Sequence, residues 1–70
     1  MKEGILYFDR ASGRYDVLFA DGGYYGGLHC GNTFDILVDG EWQTTRIEHG
    51  SGWYLVGFNG IWLDGLKVRM

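Results

Sequence analysis

Thr33-Phe34-Asp35-Ile36-Leu37-Val38-Asp39-Gly40-Glu41-Trp42-Gln43 joins an alternating run, a turn dipeptide and the start of a second run. Side chains alternate across a strand, so Phe34, Ile36 and Val38 share one face and Thr33, Asp35 and Leu37 the other. The first set is expected to face the core. A two-residue turn at Asp39-Gly40 would set Phe34, Ile36 and Val38 against Thr45, Gln43 and Glu41, bringing polar side chains onto the core face. A three-residue loop, Val38-Asp39-Gly40, avoids this: Gly40 takes the left-handed position of a bulged turn, and Ile36 falls opposite Trp42. Trp42 is then a core residue. Ile47 lies an odd number of residues further on, so a second bulge near Thr44-Thr45 is expected if it too points inward.

The same rhythm extends in both directions. Ile5 to Asp9 and Arg14 to Ala20 flank Arg10-Ala11-Ser12-Gly13, a four-residue hairpin loop, with Leu6 opposite Val17 and Phe8 opposite Tyr15. Ile5, Tyr7, Asp16 and Leu18 then share the other, mixed face. Asp21 to Gly27, two tyrosines bracketed by glycine pairs, reads as a loop, and Leu28-His29-Cys30 as a short strand. Downstream, Trp53 to Phe58 turns through Asn59-Gly60 into Ile61 to Asp64, predicting pairs of Phe58 with Ile61 and Val56 with Leu63. Leu66 and Val68 form a last strand, with Lys67 and Arg69 outward. Turn residues recur at the spacing of sandwiches and barrels, and no stretch supports a helix of normal length. The expected fold is all-β: a single domain over residues 1–70, a twisted barrel of about five to seven short antiparallel strands.

Composition supports this and narrows the function. The chain of 70 residues is 46% hydrophobic and 17% aromatic, enough to fill a core, and 13 glycines with no proline suit many tight turns. One cysteine cannot form an internal disulfide, and the short apolar run Ile5 to Phe8 is too brief for a signal-peptide core or a membrane span. A cytoplasmic protein is expected. Nine acidic against six basic side chains, for a net charge of −3, argue against a general nucleic-acid binder. Lys2, Lys67 and Arg69, near the two termini, would nonetheless form one basic corner.

Leu28-His29-Cys30-Gly31, Trp42, Arg46-Ile47-Glu48, Trp53-Tyr54-Leu55-Val56-Gly57 and Gly65-Leu66-Lys67-Val68-Arg69, at this spacing, resemble the bacterial domain-of-unknown-function family 5348. The resemblance spans Leu28 to Arg69. It implies a small SH3-like β domain of bacterial origin and brings no activity, cofactor or catalytic residue.

No catalytic set stands out. His29 and Cys30 are strand neighbours that point to opposite faces, which opposes a thiol-imidazole pair and makes Cys30 an inert core residue. One cysteine and two histidines fall short of a structural zinc site, so neither metal nor cofactor is expected. The glycine pairs at Gly22-Gly23 and Gly26-Gly27 lack the helix and the lysine of a phosphate loop. Arg46 and Glu48 read as a surface ion pair.

The feature pointing to function is aromatic. Trp53, Leu55 and Trp62 share one face of the last predicted hairpin, whose other face is also apolar, and Tyr24 and Tyr25 sit on the glycine-rich loop. Exposed aromatic patches mark interfaces, where tryptophan and tyrosine dominate binding energy. The expected function is a non-enzymatic interaction module that binds a protein segment or a second copy of itself through these five residues. The alternative is a nucleic-acid-binding module in which the aromatics stack on bases and the basic corner tracks phosphates.

Overall fold

A computed structural model describes all residues from Met1 to Met70, and it contains no helix long and apolar enough to cross a membrane. Six strands form one antiparallel sheet: β1 (Glu3–Asp9), β2 (Arg14–Phe19), β3 (Thr33–Val38), β4 (Glu41–His49), β5 (Trp53–Leu55) and β6 (Lys67–Arg69). Their order is β2-β1-β6-β3-β4-β5, so the short C-terminal strand lies mid-sheet and joins two hairpins distant in sequence. The sheet curls into a roughly barrel-like shape that is not closed by pairing of β2 with β5. The chain ends meet, Lys2 and Met70 exchanging backbone hydrogen bonds of 2.7 and 2.9 Å.

The first hairpin has the expected register, with Leu6 opposite Val17 and Phe8 opposite Tyr15. Its turn is organised by Asp9, whose carboxylate accepts from the Ala11 amide at 3.1 Å and the Ser12 hydroxyl at 3.0 Å.

The second hairpin departs from expectation. Asp39 (φ 50°) and Gly40 (φ 79°) make a two-residue turn with both central residues at positive φ, which matches the right-handed twist of the flanking strands. Val38 pairs with Glu41, Ile36 with Gln43 and Leu37 with Trp42. Trp42 is therefore half-buried on the outer face, and Ile47, an odd number of residues away, points inward without a bulge. The polar side chains that argued against this turn are accommodated. Thr45 is buried but donates its hydroxyl to the Val56 carbonyl at 2.8 Å, and Glu41 and Gln43 lie in solvent at the open end of β4. Gly40→Val should lower stability by about 1–3 kcal/mol in thermal denaturation, because a β-branched residue at positive φ is strained.

The expected third hairpin is absent. From Leu55 onward the backbone makes three tight turns, with amide-to-carbonyl bonds from Phe58 to Leu55 (3.1 Å), Ile61 to Phe58 (3.4 Å) and Leu66 to Leu63 (3.1 Å). The third residue of each turn is a glycine at positive φ: Gly57, Gly60 and Gly65. Asn59 does not share that conformation, so Asn59-Gly60 is not the hairpin turn that the same dipeptide type makes at Asp39-Gly40.

The Tyr24–Leu28 segment lies against the outer edge of β2. Gly23 accepts from Phe19 at 2.8 Å, Tyr25 donates to Val17 at 3.0 Å and Leu28 donates to Tyr15 at 2.8 Å. The expected short strand at Leu28–Cys30 does not form; Leu28 is a core residue at the end of this edge, and the chain turns at His29. Asp16, placed by parity on the mixed face, is 6% exposed and locks the segment down. One of its oxygens accepts from the amides of Val17 (2.8 Å), Gly26 (2.9 Å) and Gly27 (2.9 Å), and the other from the Tyr7 hydroxyl at 3.3 Å. Burial pushes this carboxyl up, but the Gly27, Val17 and Gly26 amides and Tyr7 outweigh it and hold it below the ordinary value.

A depressed folded value means the stabilisation is complete above the unfolded aspartate pKa of about 3.9 and is lost as pH falls through the folded value. Asp16→Asn should therefore cost about 1–3 kcal/mol at neutral pH. It should also flatten the acid limb of a stability–pH profile measured by urea titration. An equally steep acid limb in the variant would assign that limb to other carboxylates.

Ten residues fill the interior: Leu6, Val17, Phe19, Leu28, Phe34, Ile36, Ile47, Leu55, Leu63 and Val68. They come from all six strands, from the edge segment (Leu28) and from the ribbon of turns after Leu55 (Leu63), so no part of the chain buries an apolar face alone.

Candidate binding site

Trp53 opens β5 and is half-buried. Its indole N–H donates to the Gly13 carbonyl at 3.1 Å, across 40 residues of sequence, so it clasps the far edge of the sheet to the β1–β2 turn. The His49 ring packs edge-on at 4.8 Å. These contacts fix the plane of the ring.

Trp53 borders two depressions. Phe8, Tyr15, Trp53 and Asp64 line the first, a notch of about 280 Å³. Phe8 is 39% exposed and packs edge-on against Tyr15 at 5.2 Å, as their cross-strand pairing requires. Asp64 arrives from the turn ribbon beside the buried Leu63. Burial, and next the Asp64 carboxylate, hold the Tyr15 phenol above its usual pKa. The second is a more polar cleft lined by Ser12, Gly13, Arg14, Cys30, His49 and Trp53. Cys30 is exposed there, not the core residue expected, because Leu28–Cys30 leaves the sheet instead of running in it. The imidazole sharing its cleft is His49, not the neighbouring His29. No group of three or more His, Cys, Asp or Glu side chains is placed to hold a metal ion.

The five residues singled out in the sequence do not form one surface. Leu55 is fully buried and belongs to the core; strand alternation carried past Val56-Gly57, where the chain turns, placed it wrongly beside Trp62. Trp62 is 78% exposed. Tyr24 and Tyr25 are exposed too, but Tyr24 packs on Tyr7 at 5.9 Å and bridges Leu18, on the outer face of the β1–β2 hairpin. Leu18 is five residues along the chain from Gly13, where Trp53 is anchored, or roughly 16 Å at strand rise. Phe8, Tyr15 and Asp64 were not singled out. The Phe8–Tyr15 pair was legible as a cross-strand contact, but nothing local announces that Trp53 and Asp64 come to meet it.

The basic corner is neutralised within the chain. Lys2 pairs with Asp21 at 3.1 Å, Lys67 with Glu3 at 3.3 Å and Arg69 with Asp35 at 3.0 Å. Glu3 and Lys67 also rim the larger groove of about 460 Å³ on the outer face, floored by Ile5 and Leu18, and leave it no net charge. Arg46 and Glu48 form the expected surface pair at 2.7 Å.

A small all-β domain with an open, curled sheet and an aromatic notch is the class this geometry defines. The chain belongs to the family described as Domain of unknown function (DUF5348), whose model matches residues 4–70 and so includes the first hairpin as well. It is similar to a protein from Ruminococcus gnavus solved by crystallography, at 54% identity and a TM-score of 0.91, covering 99% of this chain and 100% of that one. No curated protein matches.

Proposed function

We propose that this domain is a non-enzymatic interaction module that takes a protein segment on the rim around Trp53. The observation that carries the reading is the convergence of Phe8, Tyr15 and Trp53 on one open notch, with the indole held by a hydrogen bond and the other two rings packed edge-on. Rings ordered before binding lose little conformational entropy on contact, and such anchored aromatics carry most of the energy at interfaces. Trp62 extends the apolar surface of the same ribbon that supplies Asp64. The nucleic-acid alternative has no comparable support, since each cation of its basic corner already faces a carboxylate.

Selection from a displayed random-peptide library against the immobilised domain tests the reading. Enriched peptides should bind the wild type about tenfold or more tightly than Phe8→Ala, a change at a half-exposed ring that leaves the core intact. Failure to enrich any sequence, or equal binding to the variant, would remove the notch as a docking site. Sedimentation of wild type beside Trp62→Ala distinguishes a second copy of the chain as the partner.

A further inference from the structure

Arg69 shows how this chain binds a guanidinium. Its Nε donates to Asp35 at 3.0 Å, and its guanidinium carbon lies 4.5 Å from the centroid of the Trp42 ring, so an indole face and a carboxylate act together. Thr44 donates to the second Asp35 oxygen at 2.7 Å and holds the carboxylate in place. A planar, delocalised and weakly hydrated cation suits such a site, because it can lie on a ring while donating in its own plane.

The notch assembles the same groups a second time. It offers an indole, two further rings and the Asp64 carboxylate, which lies close enough to the Tyr15 phenol to help hold that phenol above its usual pKa. Asp64 takes part in none of the chain's four ion pairs. The rings supply negative π faces and Asp64 a full negative charge, a combination matched to a cation and poorly matched to a neutral aliphatic side chain. Lysine, a compact and strongly hydrated ammonium, would gain less from the flat aromatic walls than arginine.

We infer that the notch receives an arginine side chain from the partner segment, its guanidinium lying against the rings and donating to Asp64. This rests on the interaction reading above and supplies the chemistry that reading leaves open.

The test is a titration of isotope-labelled domain, followed by NMR, with the peptide Ac-Gly-Gly-Arg-Gly-Gly-NH2 and with its citrulline counterpart, which keeps the shape and removes the charge. The Trp53 indole N–H signal, assigned with Trp53→Phe, and the Asp64 amide should move saturably with the arginine peptide, and the citrulline peptide should bind about fivefold or more weakly. Asp64→Asn, at an exposed turn position, should bring arginine down to the citrulline level while the rest of the spectrum is unchanged. Notch signals that ignore the arginine peptide, equal affinity for the two peptides, or an Asp64→Asn variant that still prefers arginine would each overturn the assignment. Displayed peptides that bind through Phe8 without arginine would overturn the arginine assignment alone. Arginine binding at the notch with no displayed segment ever selected would instead count against the interaction reading.

Discussion

Leu55→Ala is expected to destabilise the domain by about 2–5 kcal/mol, the cost of deleting a buried leucine together with the cavity left behind. Leu55 has no exposed surface and is the last residue of β5, paired with Ile47, itself fully buried. A chain of 70 residues has little stability in reserve, so the variant should be partly unfolded at physiological temperature. Trp62→Ala removes a larger side chain from the same region, yet should change stability by less than about 0.5 kcal/mol, because Trp62 is 78% in solvent already. Urea titration of the two variants side by side measures the difference. Similar losses in both would mean that Trp62 is packed in solution and unavailable to a partner.

Gly4→Ala is the second large effect. Gly4 lies in β1 with β2 on one side and β6 on the other, paired with Phe19 and Val68. A Cβ there would stand 2.6 Å from the Leu18 carbonyl oxygen and 2.7 Å from Val17 Cγ1. The first obstacle is backbone and cannot rotate away, and shifting β1 would disturb both ladders at the point where β6 joins the hairpins. Overpacking of this kind costs about 1–3 kcal/mol and occasionally more. For a domain this small, each kcal/mol lowers the melting temperature by about 4–8 °C. Gly52→Ala is the control: nothing lies within 4 Å of its Cβ, and its melting temperature should stay close to wild type. If Gly4→Ala behaved like Gly52→Ala, the packing of β1 against β2 would be looser than this sheet implies.

Much of the fold was legible because alternation and turn chemistry act over a few residues. The pairing of Leu6 with Val17, the inward set Phe34, Ile36 and Val38, and the outward Lys67 beside buried Val68 all follow from period-two burial within a strand. The readings failed where a local signal was asked to settle a non-local question. Asp39-Gly40 and Asn59-Gly60 look alike as dipeptides, yet only the first lies between two strands that find neighbours. Parity alone draws Trp42 into the core, because the two-residue turn sets Thr45, Gln43 and Glu41 opposite Phe34, Ile36 and Val38; that cost vanishes once Thr45 reaches the Val56 carbonyl, Gln43 and Glu41 lie in solvent and Arg69 covers the indole. Parity puts Asp16 only on a mixed face, and its burial comes from Gly26 and Gly27 returning to it as donors.

The candidate site divides in the same way. Its Phe8–Tyr15 half is written into one hairpin, whereas Trp53 and Asp64 reach it only because the sheet curls and the turn ribbon folds across its end. By itself the sequence determined the class of fold, the first hairpin, the inward face of β3 and the presence of apolar side chains on both sides of the stretch from Trp53 to Leu63. Tertiary structure alone decided which aromatics remain exposed, that Leu55 is interior and that the terminal cations are neutralised. Parity along a chain is meaningful only while the chain stays extended; past a turn, burial and charge pairing depend on partners distant in sequence, which no local pattern names.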